Sequence, residues 1–329
     1  MPRPIVERWY SAGLYGFLQP VLTFGSNAVP IALFDVLLAS AGAILAGAAL
    51  LDLADFAGRG RWRGIGRIVV RTVVWSARLY LIFVALWGLN YQRERLADRL
   101  PFDAAAVTDA AAARLAAATV DRLNALHATA HAEGWLTGAA IDPALAGAFE
   151  RVVRDLGSSH RVVAGRPKRS FLDWYFQRAG IAGMTDPFFL ETIVASDVLP
   201  FERPFVIAHE WGHLAGLADE GEANLAGWFT CLRGTPGHQY SGWLFMYDEA
   251  FRVVPRGERA ALAARLGPGP RQDLRAIRDR VALHVSPRVS AAGWRAYDSY
   301  LRANRVAAGG ASYDEVVRLA LGLRIAPRF

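Results

Sequence analysis

The sequence predicts a mainly α-helical protein: two membrane-spanning helices near the N-terminus, then an α-rich domain with a small β-sheet or hairpin. Three observations predict it. Two apolar runs, residues 31–51 and 72–91, are each long enough to cross a bilayer core as a helix. Beyond residue 100, Ala-rich and amphipathic segments alternate with Gly and Pro in the manner of consecutive helices. One stretch, residues 183–196 (GMTDPFFLETIVAS), gathers β-branched and aromatic residues without helical period and reads as a strand or hairpin. These place a membrane anchor over residues 1–100 and a globular domain over 101–329.

Composition removes several function classes. Of the 329 residues, 53% are hydrophobic and 20% charged, so too much apolar surface seeks burial for a disordered chain. The net charge is +7, with Lys168 the sole lysine among the basic residues. The excess is spread along the chain and no motif or aromatic-basic face accompanies it, so no nucleic-acid partner is expected. The single cysteine, Cys231, excludes both an intramolecular disulfide and a cysteine-based metal cage.

Each element has its own signal. Residues 9–24 (WYSAGLYGFLQPVLTF) are aromatic and nearly uncharged, as in a segment lying along a membrane interface. The first span carries only Asp35, near its start. The second carries Arg78, which can snorkel or face a neighbouring helix. Between them Arg59, Arg61, Arg63, Arg67 and Arg71 make a basic loop, which stays cytoplasmic and leaves everything after Tyr91 outside. Arg93, Arg95 and Arg99 oppose that bias. Residues 103–133 read as a helix capped by Asp103 and stopped by Gly134, and 142–156 as a second helix ending at Gly157. Residues 158–170 read as an exposed basic loop. Helices follow over 203–217, 220–232 and 240–254, with two or three more in 271–325.

Chemistry concentrates in residues 204–228, PFVIAHEWGHLAGLADEGEANLAGW. His209 and His213 are four apart, so on a helix they share one face and can hold one Zn2+. Glu210 sits beside them, placed to take a proton from water activated by the ion. A catalytic site needs a third protein ligand and an open position. Glu220 is favoured, with ExxAN formed by Ala223 and Asn224; Asp219, just after Gly216, and Glu222 stay open. Glu222 lies about 200° round the helix from Glu220, so both cannot face the ion. Asn224 could orient a ligand. Tyr240 or His238 could donate to the oxyanion of a tetrahedral intermediate, and the strand near 183–196 could pair with an extended peptide. His127 and His131, in HATAH, are also four apart but lack a neighbouring Glu, and read as an ordinary helix face. His160 and His284 have no ligand-like company.

The segments WGLNYQR (87–93), PFVIAHEWGH (204–213), ADEGEAN (218–224), YSGWL (240–244) and SYDEVV (312–317) resemble the DUF3810 family of bacterial membrane proteins. The resemblance implies a zinc metallopeptidase with two N-terminal membrane helices and a zincin-like domain over 101–329. It implies a gluzincin-like site on His209, Glu210, His213 and Glu220. A peptide or protein substrate and a lipid bilayer are then the expected partners. The expected location is the bacterial inner membrane, multi-pass, with the catalytic domain on the periplasmic or extracellular side. The alternative is a non-catalytic envelope protein whose metal site is structural or degenerate and which acts as a binding module.

Overall fold

The computed structural model describes residues 2–59, 61–303 and 311–325. Of the basic loop, Gly60 and the side chains of residues 52–64 lie outside the described residues, as do the side chains of 312–314. The chain is mainly helical with one three-stranded sheet.

After a wide helical stretch, Val6–Leu14, comes α1 (Tyr15–Asn27). Its amphipathicity is inverted. Tyr15, Gln19, Thr23 and Ser26 are buried, while Phe17, Val21 and Phe24 are exposed. The buried polar groups bond to the globular body: the Tyr15 hydroxyl donates to the Leu214 carbonyl (2.9 Å) and Thr23 to the Leu190 carbonyl (3.0 Å). Gln19 exchanges bonds with both backbone groups of Val163 (2.8 and 3.0 Å). The N-terminal segment is thus tied to the globular body by its polar face. Its polar face meets protein and its apolar face points outward.

Two long apolar helices follow and pack on one another, α2 (Leu33–Arg59) and α3 (Arg61–Leu86). Their membrane-length windows, Leu33–Leu51 and Ile65–Leu86, are 0% and 6% buried, unlike core helices of a soluble protein. This supports membrane association. The second span is displaced from 72–91, because Trp87 leaves the helical region (φ −147°) and the chain enters a 3-10 turn, Gly88–Gln92. Trp87 is pulled into the domain, where its indole N–H donates to the His213 carbonyl (3.2 Å). Asp35 is engaged by the domain. Its carboxylate accepts from the Ser170 hydroxyl (2.5 Å) and the Phe171 amide (2.8 Å), tying the first turn of α2 to the domain.

Next come a single helical turn, Leu96–Arg99, then α4 (Asp109–Glu133) and α5 (Pro143–Asp155). Asp103 caps only the short turn Ala104–Ala106; Thr108 caps α4, its hydroxyl accepting from the Ala111 amide (3.1 Å). Asp142 caps α5 as its position before Pro143 suggests.

The expected exposed loop at 158–170 is another correction. It contains strand β1 (Pro167–Lys168), and Lys168 is buried in an ion pair with Glu191. Lys168 also donates to the Ser26 carbonyl (2.7 Å), and Glu191 accepts from the Phe34 amide (3.0 Å), one of the orphan donors at the start of α2. The pair thus fixes where the first apolar helix leaves the domain. After α6 (Asp173–Ala179) comes the hairpin β2 (Gly183–Asp186) and β3 (Glu191–Val194). The sheet order is β1-β3-β2, with β1 parallel and β2 antiparallel to β3, so β2 is an edge.

The remaining helices are α7 (Arg203–Leu214), α8 (Glu220–Leu232), α9 (Pro236–Val253), α10 (Arg256–Ala264), α11 (Pro268–His284), α12 (Pro287–Ala303) and α13 (Ala311–Gly322). Helix α9 begins before residue 240 because Pro236 starts it and the His238 ring accepts from the Thr235 amide (3.1 Å). Two hydrophobic clusters make the core. One joins α4, α8, α9 and α13; the other joins α1, the sheet and α7. Trp228 of the first and Trp211 of the second are fully buried, each contributing about 1.5–3 kcal/mol by area. Helices α7 and α8 meet at the seam between them.

Candidate metal centre

Local sequence shapes the first half of the site. Helix α7 starts with Pro204 in its first turn and ends at Gly216, whose φ of +77° is a left-handed conformation open to glycine. A Cβ there would also crowd Arg93, Asn90 and Tyr15 at 3.1–3.2 Å. The reversal brings the Leu217 carbonyl back to accept from His213 Nδ1 (2.8 Å). Because that carbonyl holds Nδ1, His213 presents its Nε2 to the site.

The reversal also starts α8. Asp219 accepts from the amides of Gly221 (2.9 Å) and Glu222 (3.3 Å), so it is the helix cap. Glu222 is buried and accepts from the Leu96 amide (2.6 Å) on the far side; burial raises its carboxyl to about 7. Neither faces the two histidines. Glu220 does: its Oε2 lies 3.4 Å from His209 Nε2 and 3.6 Å from His213 Nε2, and the three ligand atoms lie within 4.8 Å of one another.

Glycine and alanine let the two helices approach this closely. A Cβ at Gly212 would meet the Ala223 backbone at 3.1 Å, and one at Gly227 would meet the His209 backbone nitrogen at 2.9 Å. Ala223 of ExxAN is therefore a packing residue. Asn224 is half-buried on α8, and among the described residues no hydrogen bond joins it to the triad.

Electrostatics match the geometry. Burial alone would raise Glu220, but His213 and His209 outweigh it and hold the carboxyl well below its usual range. Burial would lower His213, yet Glu220 and Glu210 raise it to about 9. Glu210 is buried, which raises its carboxyl despite the facing histidines. The Thr185 hydroxyl lies 2.9 Å from both the Glu210 carboxylate and its backbone carbonyl, and Gly183 leaves room for the carboxylate.

These groups line an open cleft of about 620 Å³ whose other walls include Phe83, Trp87, Met184, Tyr175 and Trp294. Phe83 belongs to the second apolar helix, so the cleft lies beside the pair of apolar helices. Edge strand β2 forms part of its wall. Sequence reasoning missed Thr185 and Trp87 as site residues. No spacing relates either to HExxH; both arrive by tertiary packing.

Two expected donors lie elsewhere. The Tyr240 hydroxyl is buried and donates to Asp273 (2.5 Å), outside the cleft. His238 closes the capping box of α9, its Nδ1 accepting from the amide of the cap residue Thr235, and its Nε2 bonds to Asp142 (3.0 Å). His127 and His131 are not an ordinary helix face, since both point at that same Asp273.

No curated protein and no solved structure matches the chain. A family model described as "Protein of unknown function (DUF3810)" matches residues 10–321. That match takes in α1, both apolar helices, the sheet and all of the triad, and so the chain belongs to the DUF3810 family.

Proposed function

We propose that the chain is a membrane-anchored, zinc-dependent peptide hydrolase. One observation carries this: His209, His213 and Glu220 converge on one point, with Glu210 buried beside them and an open strand edge along the same cleft. The donor set fits zinc. Two ligands about 2.0–2.1 Å from a tetrahedral ion lie about 3.3–3.4 Å apart, close to the 3.4 and 3.6 Å separations here. A zinc ion held by the three would act as a Lewis acid and lower the pKa of water beside it.

The remaining work falls to the chain itself. Glu210 takes the proton of the attacking water and passes it to the leaving amine; its burial raises its basicity for that role. Thr185 holds the Glu210 carboxylate in one orientation. The backbone of β2, with one strand neighbour among the described residues, can pair with an extended substrate. Apolar walls from α3 and α12 exclude water and favour a polypeptide segment close to the bilayer.

The same packing supports an orientation. Residues before α2 and after α3 bond to each other, as in the Arg93–Glu7 ion pair (2.8 Å). Both flanks of the apolar hairpin therefore lie on one side and the basic loop on the other. Basic loops stay cytoplasmic, which favours the periplasmic or extracellular face of the inner membrane for the domain.

A binding module with a closed structural site would need a fourth protein ligand. Asp219 and Glu222, the available carboxylates, are committed to backbone amides. The test is Glu210→Gln in detergent-purified protein. Zinc content is expected to match wild type, while hydrolysis of quenched-fluorescence peptides falls about 10²–10⁴-fold. Undiminished hydrolysis would overturn the proposal.

A further inference from the structure

We propose that His127, His131 and Asp273 form a second divalent-metal site, of zinc-type donor chemistry, that staples α4 to α11. It is distinct from the triad and uses none of its residues.

His127 and His131 sit four apart on α4, with ring centroids 4.3 Å from each other. Their Nε2 atoms lie 3.5 and 2.8 Å from one oxygen, Oδ2 of Asp273 on α11. All three ligand atoms fall within 4.8 Å of one another, as in the triad. That same oxygen already accepts from the Tyr240 hydroxyl at 2.5 Å. A carboxylate oxygen offers two lone-pair sites, and three donors converge on it. The His127 separation is too long for a good hydrogen bond but suits two ligands of one ion, whereas the 2.8 Å to His131 is a hydrogen bond that an ion would open by about half an ångström.

The surroundings are arranged for His127. A Cβ at Gly269, in the first turn of α11, would run into the His127 ring, so glycine is what lets the imidazole reach Asp273. Both histidine side chains remain 28% and 37% exposed, while Asp273 and Tyr240 are buried behind them. Solvent can complete the coordination from outside, and Tyr240 orients the carboxylate from within. Two imidazoles and one carboxylate without cysteine suit zinc or a neighbouring divalent transition ion.

The staple bears on the cleft. Helix α11 runs through residues 285–286 into α12, which supplies Gly293 and Trp294 to the cleft wall. An ion holding α11 to α4 would fix that wall without touching the substrate.

Detergent-purified full chain, stripped with chelator and reloaded with Zn2+ alone, tests this by metal analysis after gel filtration. Wild type is expected to hold about two ions per chain. His127→Gln and His213→Ala are each expected to lose about one, and the double variant to lose both. His127→Gln is the main variant because its side chain is partly exposed; Asp273→Asn is the second. In the His213→Ala background, Zn2+ should raise the thermal midpoint, and adding His127→Gln should abolish that rise. One ion in wild type, lost in His213→Ala and kept in His127→Gln, would overturn the second site and leave the triad standing. The reverse pattern would overturn the triad alone.

Discussion

Gly227→Ala probes how closely α7 and α8, the helices of the His209–His213–Glu220 cluster, must pack. The new Cβ would sit 2.9 Å from the His209 nitrogen, 3.0 Å from its Cα and 3.3 Å from the Ala208 carbonyl carbon. All three are backbone atoms of α7, so no side chain can rotate away. Ordinary contact begins near 3.4 Å, and α7 and α8 must part by about half an ångström. Overpacking a buried contact costs about 1–3 kcal/mol, while Gly→Ala in a helix returns up to about 1 kcal/mol. Gly257→Ala separates these effects. Gly257 lies in α10, where a Cβ would meet nothing within 4 Å, so it carries the helix benefit without the clash. Gly227→Ala is therefore expected to be less stable than Gly257→Ala by about 1–3 kcal/mol. The displacement also separates His209 from Glu220, now 3.4 Å apart. Metal sites tolerate about 0.2 Å, so zinc affinity should fall about tenfold or more. Thermal unfolding in detergent and competitive zinc titration measure both. Equal midpoints and equal zinc affinity in the two variants would refute the close-packed geometry.

Other perturbations test other parts of the fold. Lys168→Met leaves Glu191 buried and unpaired, and should destabilise by about 3–5 kcal/mol in thermal or denaturant unfolding. Asp186 is fully buried, and burial raises its carboxyl to about 7 although the Phe188 and Phe189 amides donate to it. The unfolded chain then loses this proton first, so stability should fall as pH rises from about 4 to 7, at a limiting slope of about 1.4 kcal/mol per pH unit. Asp186→Asn should flatten that part of the pH–stability curve; an unchanged curve would show that Asp186 is not its source. Tyr240→Phe should leave peptide hydrolysis within about twofold, whereas a loss of about 10²-fold would restore Tyr240 as an oxyanion donor.

Several elements were legible because their signals are local. The hairpin at 183–196 follows from β-branched and aromatic residues around a turn, and α8 begins at Glu220 because Asp219 is a good cap. Where reading failed, a distant partner or a better local competitor decided. Thr108 displaced Asp103 as the cap of α4. Lys168, in a segment with every mark of a solvated loop, is buried because Glu191 and the Ser26 carbonyl await it. The N-terminal segment reads as apolar, yet its few polar residues are the ones that bind the domain. The second span stops at Leu86 because Trp87 has a place against the His213 backbone.

The sequence by itself determined the two apolar helices and half of the His209–His213–Glu220 cluster. A helix repeats every 3.6 residues, so His209, Glu210 and His213 could be placed on one turn by counting. Only the tertiary structure decided the rest. Glu220 was separated from Asp219 and Glu222 by the Gly216 reversal and by the amides that claim the other two carboxylates. Thr185 reached Glu210 from a strand 25 residues away, and Asp273 reached His131 across 142 residues. Spacing along a chain encodes neighbours within one element; contacts between elements depend on how buried faces pack, and no residue count carries that.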